Sequence, residues 1–499
     1  MRVFLLHSNE PTLHLLLERL RIPHGTQLTA QQEKQQPCII HWGCYHAEKA
    51  SRLLVQPIKC QLRANNPRKA AVVLKLHGIR WESARQQTAE QELVDAEVQQ
   101  EGRLQPPQYT YEYIVPVFHL QALTLFQRKQ GIFYGAPHPM QTQQPPDDFT
   151  EVTEETPSYH AIRAKREAVK AIYALGLDFG VVRIGVGKGG ELFITELETA
   201  PTLTARLAEL FSDALHRFAE EQEAEDYTPR PAVMLGADPE FVLRNPQGKI
   251  IFASRFMEKD GPVGCDAIVL PSFRKIYPLA ELRPEPSRDI GQLLKNIHRT
   301  MQNASRKISD ESLEWLAGGM PVKGFPLGGH IHFSGVPLSS EFLRVLDNYL
   351  ALPLVLLEDT TTGLRKPRYG FLGDFRRQRH GGFEYRVLPS WLVSPRLARG
   401  VLSLAKLIAD HYRQLRSRPL DEPLVQEAYY LGDKQRIRPL LPGLWNDLVR
   451  LPAYRTHERY LTPLKTMMLH MECWKEQEDI RVRWKIGPFA RKEVSSINS

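Results

Sequence analysis

The stretch LGADPEFVL, residues 235–243, limits the fold of this chain more than any other part of the sequence. Its apolar residues are typical of a buried strand, yet Asp238 and Glu240 lie two positions apart within it. Residues i and i+2 of an extended chain point to the same face, so the two carboxylates project together. Like charges at this spacing repel each other unless a positive charge lies between them. The stretch therefore predicts either a strand end with both carboxylates in water or a strand that holds a cation.

Three further segments repeat this spacing of polar residues. The pairs are Glu281 and Arg283 in AELRPEPS, His330 and His332 in GGHIHFSG, and Glu384 and Arg386 in FEYRVLPSW. Taken singly, each pair has an ordinary structural interpretation, because opposite charges pair on exposed ladders and histidines are often merely hydrogen-bonded. Taken together, four strands that carry polar groups on one face can line a single concave sheet. Carboxylates with one or two imidazoles favour magnesium or manganese over a closed zinc site.

A basic segment with several glycines, LRKPRYGFLGDFRRQRHGG, lies between His332 and Glu384. Arg368 and Arg376 are two of its basic residues. A solvated loop is one interpretation of this segment. The other is a clamp for phosphate oxygens, since arginines commonly bind phosphate beside a metal site made of carboxylates. Metals held by carboxylates, with arginines on the same sheet, indicate ATP bound with two or more divalent ions.

The four motifs, in this order, resemble those of the phage-type carboxylate–amine ligases, or amidoligases, of the glutamine-synthetase-like superfamily. GADPEF is similar to the first metal-binding strand of glutamine synthetases, GGHIHFSG to their later histidine strand, and FEYRVLPSW to their terminal Glu-x-Arg strand. The resemblance covers about residues 232–400. It implies a C-terminal domain in which a glutamine-synthetase-like antiparallel sheet, with flanking helices, lines the active site.

The resemblance also implies the roles of the site residues. Taken together with the basic segment, it leads us to expect metal ligation by Asp238, Glu240, Glu281, His330 and Glu384, nucleotide binding by Arg368, Arg376, Arg386 and His332, and a catalytic part for Arg368, Glu384 and Arg386. The reaction implied is ATP-dependent formation of an amide through an acyl phosphate, with Mg²⁺ or Mn²⁺ as cofactor. The expected partners are a carboxylate and an amine that belong to a small amino acid, a peptide or a cell-wall-type compound.

A second resemblance concerns the N-terminal part of the chain. ALGLDFGVVRIGVGKGGELFITELETAPTL, residues 174–203, is similar to the C-terminal core of ATP-grasp enzymes. Glu196 and Glu198 lie where that family has magnesium ligands, whereas Arg183 replaces an acid, and Ile114 replaces a phosphate-binding arginine. A cation in the place of a metal ligand repels magnesium. The resemblance therefore implies an α/β ATP-grasp-like domain that is degenerate, and an α+β class for the whole chain.

The length of 499 residues predicts two or three domains. The acidic stretch AEEQEAEDYTPRP, residues 219–231, suggests the main boundary. We expect the ATP-grasp-like domain over residues 1–225 and the amidoligase domain, with a C-terminal helical extension, over residues 226–499. In the first domain, AAVVLKLHG (residues 70–78) has the composition of a strand, and residues 159–175 have the apolar spacing of a helix.

Composition and cysteine use narrow the functional classes. Five scattered cysteines without a CxxC pair indicate neither a disulfide framework nor a cysteine zinc site, so a cytoplasmic protein is expected. No apolar run is long enough to span a bilayer, and the opening segment MRVFLLHSNE lacks the features of a signal peptide. The net charge of +8 is spread along the chain without an aromatic-rich module, so no nucleic-acid partner is expected.

Two alternatives to a ligase in the second domain remain open. One is a non-catalytic protein that binds nucleotide or peptide or has a structural role, and the other is a ligase whose working site is the ATP-grasp-like domain. The acids of the second domain are all present, whereas the first domain has Arg183 in place of an acid. This contrast favours the second domain as the enzyme.

Overall fold

The computed structural model describes residues 3–35, 38–48, 53–82, 109–128, 149–153, 157–227, 231–270 and 274–488. The chain divides into two compact units, Met1–Pro229 and Arg230–Ser499. Among the described residues, no helix combines the length and the apolar character that crossing a membrane requires.

The strands of the first unit are β1 (Val3–Leu6), β2 (His24–Gly25), β3 (Cys38–His41), β4 (Leu53–Val55), β5 (Tyr111–Phe118), β6 (Gln121–Ala122), β7 (Phe126–Arg128), β8 (Phe149–Glu151), β9 (Phe179–Val186) and β10 (Leu192–Glu198). Its helices are α1 (His14–Leu17), α2 (Ala30–Gln35), α3 (Ile58–Ala64), α4 (Pro67–Leu76), α5 (Tyr159–Ala174) and α6 (Ala205–Tyr227).

The strands of the second unit are β11 (Met234–Arg244), β12 (Ile250–Ile251), β13 (Val263–Val269), β14 (Lys275–Leu282), β15 (Glu314–Leu316), β16 (Gly329–Ser334), β17 (Phe375–Arg377) and β18 (Phe383–Tyr385). Its helices are α7 (Ile290–Lys307), α8 (Ser340–Leu346), α9 (Leu352–Leu354), α10 (Pro395–His411), α11 (Pro423–Leu431), α12 (Lys434–Ile437), α13 (Leu441–Val449), α14 (Tyr454–His470) and α15 (Ile480–Trp484). A π-helical turn, Asp347–Ala351, follows α8.

The first unit combines a parallel sheet with an antiparallel sheet. The parallel sheet has the order β2-β1-β3-β4, and the antiparallel sheet has the order β10-β9-β5-β7-β8, with β6 beside β5. Helix α5 lies where the apolar spacing predicts it. It begins after Ser158, whose Oγ accepts a hydrogen bond from the N–H of Ala161 at 3.2 Å. Its buried face is rich in alanine, and this face packs on β5 and β9.

The expectation of a strand at residues 70–78 is wrong, because helix α4 occupies most of that segment. Asn66 caps this helix: its Oδ1 accepts a hydrogen bond from the N–H of Lys69 at 3.1 Å. Pro67 fills the first helical position, where no N–H is needed. The β-branched valines favour a strand, but the cap and burial of one helix face override that preference.

The second unit is built around an antiparallel sheet of eight strands. Its order is β13-β14-β11-β16-β18-β17, and both β12 and β15 pair with β11. Helix α7 begins after Asp289, whose Oδ1 accepts a hydrogen bond from the N–H of Gln292 at 2.7 Å. This helix buries Leu293 and Ile297 and contacts β11, β13 and β14. An antiparallel sheet with helices, preceded by a mixed α/β unit, makes the chain α+β, as predicted.

A protease should separate the two units at their junction. Helix α6 ends at Tyr227, and the second unit begins at Arg230. We expect limited proteolysis of the full chain to cut within or next to residues 219–231 and to release a folded fragment that begins close to Pro231. Mass spectrometry and circular dichroism of the fragment check this result. First cuts inside residues 240–390 would contradict a boundary here.

Candidate functional site

Antiparallel pairing places the predicted site residues opposite one another on the second sheet. Opposed residues of an antiparallel pair point to the same face, as do residues two positions apart on one strand. The opposed pairs are Asp238 with His330, Glu240 with Glu281, His332 with Glu384, and Arg376 with Glu384. All these side chains therefore share one face of the sheet. We call the acids and histidines among them the polar row: Asp238, Glu240, Glu281, His330, His332 and Glu384.

The centre of the polar row is a cluster of Asp238 and two histidines. Nε2 of His332 lies 3.0 Å from Oδ2 of Asp238, and Nδ1 of His330 lies 3.3 Å from Oδ1. Burial alone would raise the pKa of Asp238, but the two histidines outweigh it and hold this pKa below its ordinary value. Oδ1 of Asp238 and these two ring nitrogens are buried, and none of their contacts with the described residues has the geometry of a hydrogen bond. Because buried polar atoms nearly always have a hydrogen-bond partner, this arrangement leaves positions for a ligand.

Glu384 is fully buried and lies at the end of the polar row that carries the arginines. Arg376 donates to both of its oxygens, from Nε at 2.6 Å and from Nη2 at 2.8 Å, and Arg386 contacts Oε1. Nε2 of Gln378 donates to Oε2 at 3.1 Å. A paired arginine–carboxylate contact of this kind fixes geometry as well as charge. The two arginine side chains are 57% and 27% exposed, so their guanidinium groups remain accessible from solvent.

The other end of the polar row consists of two opposed carboxyls, Glu240 and Glu281. The N–H of Gly328 donates to Oε2 of Glu240 at 2.6 Å, and Arg283 contacts Glu281. Burial raises the pKa of Glu240 to about 7. Burial, together with the charges of Asp238 and Glu240, raises the pKa of Glu281 to about 9. In both cases burial disfavours the charged form, and neighbouring carboxylates add to this effect.

The donors of the polar row suit a divalent cation. One ligand atom each from Asp238, His332 and Glu384 lies within 4.8 Å of the other two. Carboxylate oxygens with few imidazoles are the ligands expected for Mg²⁺ or Mn²⁺. A cation at this place would lower the raised pKa values of the neighbouring carboxyls and give the buried atoms without hydrogen bonds a partner. The residues therefore fit the metal that the sequence leads us to expect.

Arg368 is the predicted site residue that the structure does not bring to the polar row. Its side chain is exposed. Among the described residues, it donates to the carbonyl of Val269 at 3.5 Å, and its guanidinium lies 5.5 Å from the ring centroid of Tyr369. Arg376 and Arg386, in contrast, both contact Glu384. Of the three arginines that the sequence leads us to expect at the nucleotide, the structure thus brings Arg376 and Arg386 to the polar row but not Arg368.

Two groups that position Glu240 are missing from the sequence-based set. Oγ of Ser390 donates to the carbonyl of Glu240 at 2.6 Å, and the N–H of Gly328 donates to its side chain. Gly328 has no room for a side chain, because a Cβ there would lie 2.2 Å from Nε2 of His330. The glycine pair before His330 is the sequence signal for this arrangement, since glycine often marks a close approach of the backbone.

Glu476, in the C-terminal part of the chain, is a further buried carboxylate that sequence reasoning does not identify. Its Oε1 accepts hydrogen bonds from the N–H of Gly319 at 2.5 Å, from Nε1 of Trp474 at 2.8 Å and from Oγ1 of Thr362 at 2.9 Å. Its Oε2 accepts one from the N–H of Met320 at 3.0 Å. No local pattern could reveal these contacts, because 157 residues separate Glu476 from Gly319.

The loop that Glu476 holds supports the polar row. The carbonyl of Gly319 accepts a hydrogen bond from the N–H of Leu327 at 2.9 Å, directly before Gly328. The carbonyl of Gly318 accepts one from the N–H of Ser390 at 2.9 Å. Both Gly328 and Ser390 donate to Glu240. Two paths, each with three hydrogen bonds, therefore connect Glu476 to Glu240.

In the first unit, the structure places Arg183 against Glu196. The two residues are opposed on β9 and β10, and Nε of Arg183 lies 3.1 Å from Oε2 of Glu196. Oε2 of Glu198 accepts a hydrogen bond from the N–H of Thr202 at 3.1 Å. Ile114 lies opposite Arg183 on β5. A guanidinium therefore lies where the ATP-grasp resemblance implies a metal-binding acid.

Comparison with known proteins gives a family match for the second unit. The family model described as phage phiEco32-like COOH.NH2 ligase-type 2 matches residues 235–486, a range that contains the whole polar row. A comparison with curated proteins found no relative.

Three solved structures share a weak likeness with parts of the chain. The ATP-grasp ligase PsnB with its minimal precursor is 12% identical, with a TM-score of 0.28, over 44% of this chain and 99% of PsnB. A bifunctional glutathione synthetase from Pasteurella multocida is 13% identical, with a TM-score of 0.35, over 54% of this chain and 53% of that chain. The macrocyclase MdnB from Microcystis aeruginosa MRC is 13% identical, with a TM-score of 0.26, over 43% of this chain and 98% of that chain. Since all three scores lie below 0.5, this likeness carries no conclusion about function.

Proposed function

The chain belongs to the phage phiEco32-like COOH.NH2 ligases of type 2, and from this premise we propose that the polar row joins a carboxylate to an amine while ATP is converted to ADP and phosphate. As a member of a carboxylate–amine ligase family, the chain is an enzyme that forms C–N bonds. The observation that supports a site at the polar row is its geometry: buried acids and histidines lie on one face of one sheet, with two accessible arginines at one end.

The residues that would hold a divalent ion are Asp238, His330, His332 and Glu384, with Glu240 and Glu281 beside them. When bound, Mg²⁺ or Mn²⁺ neutralises phosphate charge and makes the γ-phosphate easier to attack. The protein's own contribution is to bury these carboxylates, where their charge acts more strongly than in water, and to fix them in register across neighbouring strands.

Arg376 and Arg386 are placed to bind the phosphate oxygens of ATP. Both guanidinium groups contact Glu384 and are partly exposed. A planar guanidinium pairs with two phosphate oxygens in the same way as with a carboxylate. Phosphates that take over these contacts would release an oxygen of Glu384 for the metal. Nucleotide binding and completion of the metal site would then be linked.

The proposed reaction has two steps. An oxygen of the substrate carboxylate attacks the γ-phosphorus, and the bond to the ADP oxygen breaks, which gives an acyl phosphate and ADP. The amine nitrogen then attacks the acyl carbon, the C–O bond to phosphate breaks, and the nitrogen loses a proton. The arginines hold the reacting phosphate in line and neutralise its charge. The substrate class is a small amino acid, a peptide or a cell-wall-type compound.

An ADP-release assay of the full-length protein tests this function. Mixtures of carboxylates and amines are supplied with ATP and either Mg²⁺ or Mn²⁺, and ADP release that needs both carboxylate and metal is the expected result. With a substrate carboxylate labelled with ¹⁸O, one labelled oxygen should appear in the released phosphate. Release of ADP without that transfer would contradict the acyl phosphate. A protein that binds neither nucleotide nor divalent metal would instead be a non-catalytic binding protein.

Arg386→Lys should weaken nucleotide binding more than metal binding, because a point charge cannot replace the planar fork. We expect the KM for ATP to rise about tenfold, the scale of one lost charge-assisted hydrogen bond, at an unchanged magnesium requirement. Steady-state kinetics at varied ATP and Mg²⁺ measure both quantities. Arg379→Lys, at an exposed position of the same basic segment, is the matched control. An unchanged KM for ATP in Arg386→Lys would remove Arg386 from the nucleotide site.

A further inference from the structure

A cleft of about 800 Å³ opens in the first unit. One wall follows the carboxyl ends of parallel strands: Glu10 lies shortly after β1, and Tyr45 lies shortly after β3. Ligands of α/β sheets commonly bind at this edge. The volume is in the range of small-molecule sites in proteins. The position and the size of the cleft both indicate a binding site.

Carboxylates dominate the charged lining of this cleft. Among the described residues, the acids that line it are Glu10, Glu82, Glu112, Glu196 and Glu198. Arg183 is the one lysine or arginine in that lining, and it pairs with Glu196 at 3.1 Å. A cleft lined by one sign of charge concentrates ligands of the opposite sign. The cleft therefore attracts cations.

Among the described residues, no group donates a hydrogen bond to one of the two carboxylate oxygens of Glu10. Its Oε2 accepts a hydrogen bond from the N–H of Ser8 at 3.0 Å, whereas its Oε1 is buried and has no hydrogen-bond partner. A Cβ at Gly43 would lie 2.1 Å from this Oε1, so a larger residue at position 43 would clash with the carboxylate. Burial raises the pKa of Glu10. A positively charged ligand would supply the missing partner and reverse that shift.

Aromatic rings supply the rest of the charge-attracting surface. The rings that line the cleft are Tyr45, Trp81, Tyr109, Tyr113 and Phe149. The face of an aromatic ring attracts ammonium and guanidinium groups, which carboxylates beside the ring also bind. Bare metal ions need oxygen ligands but gain little from a wall of rings. Acids and rings together thus favour an organic cation over a metal ion.

A nucleotide does not suit this lining. Phosphate groups are bound by arginines, lysines or magnesium held by acids. Here the sole arginine of the described lining is engaged with Glu196. We propose that the cleft of the first unit binds an organic cation, a ligand that carries an ammonium or guanidinium group, and that it is not a nucleotide site. The chemistry is shared by a lysine or arginine side chain of a peptide and by a free polyamine.

Isothermal titration of the full-length protein tests the proposal without any turnover. The probes are a capped Gly-Lys-Gly peptide, the same peptide with an acetylated lysine, spermidine, Mg²⁺ alone and Mg·ATP. Glu10→Gln keeps the size of the side chain and removes its charge, and should weaken binding of the cationic probe about tenfold or more. Tyr45→Leu should weaken it several-fold, on the scale of an exposed cation–π contact. Glu221→Gln, an exposed position on α6, is the matched control and should change nothing.

Saturable binding of the lysyl peptide or of spermidine that depends on Glu10 supports the proposal, provided that acetylation of the lysine abolishes binding of the peptide. The probe that binds more strongly identifies the ligand as a peptide or as a polyamine. Three results overturn the proposal. The first is equal binding of the two peptides, and the second is binding of none of the probes. The third is displacement of the cationic probe by Mg·ATP or by Mg²⁺, if this displacement is absent in Glu10→Gln. This experiment measures binding and not turnover. It can therefore refute the cation site while the ligase assay supports the proposed function, and it can support the cation site while the ligase assay gives no activity.

Discussion

Glu384→Gln should lower kcat by about a hundredfold or more, the usual scale of lost electrostatic stabilisation of a transition state. The Glu384 side chain is fully buried, and it contacts Arg376 and Arg386 as well as His330. Glutamine keeps the size and removes the charge, so it weakens both metal ligation and the hold on the arginines. The magnesium concentration that gives half-maximal activity should therefore rise. Turnover measured over a magnesium titration gives both values.

The fold should survive Glu384→Gln, because Arg376 and Arg386 are partly exposed and can turn towards water. Circular dichroism and the midpoint of thermal unfolding check this point. Glu311→Gln makes the same chemical change at an exposed position and serves as the control. A folded Glu384→Gln variant with full activity would refute the metal site at the polar row and would move the working site to the first unit.

The family and the α+β class could be predicted from four short motifs, and both are confirmed. The reason is that side chains alternate strictly along a strand. A polar pair at i and i+2 within apolar residues, such as Asp238 and Glu240, is enough to predict a strand with one polar face and one apolar face. Four such pairs in order also carry the resemblance to carboxylate–amine ligases. The spacing of residues within each strand is therefore sufficient to predict which side chains lie on its polar face.

The register between strands could not be predicted in the same way. The spacing does not say that His330 opposes Asp238 or that Glu281 opposes Glu240, because register depends on turns and on burial along whole strands. Pro239 also argues for an edge strand, yet β11 lies inside the sheet. It is tolerated there because β14 pairs with β11 only from Glu240 onwards.

Two predictions from the sequence are not met by the structure, and each has its own cause. At residues 70–78, the valines suggested a strand, and the signal that decides the segment, the cap at Asn66, lies just outside it. The sequence predicts one role for Arg368 and Arg376 because both belong to one basic segment. Only Arg376 lies on a strand of the sheet, in β17, and strand pairing is what brings it to Glu384. A basic segment predicts charge near a site but not which side chain reaches it.

Glu476→Ala should destabilise the protein by about 3 kcal/mol or more, because it removes the acceptor of five hydrogen bonds, four of them buried. The N–H groups of Gly319 and Met320 would be left buried without a partner. The loop from Gly318 to Met320 would then lose its hold on Gly328 and Ser390, which position Glu240. We therefore expect a higher magnesium requirement as well, at a temperature where the variant is still folded.

The two parts of this prediction are measured separately. Urea unfolding gives the loss in stability, and a magnesium titration of activity well below the unfolding midpoint gives the effect on the site. Glu472→Ala removes an exposed carboxylate a few residues away and should change neither value. A Glu476→Ala variant as stable as the wild type would show that Glu476 does not hold the loop. A destabilised variant with an unchanged magnesium requirement would show that the loop supports the fold but not Glu240, because the contacts of Gly328 and Ser390 with Glu240 would then not depend on the loop.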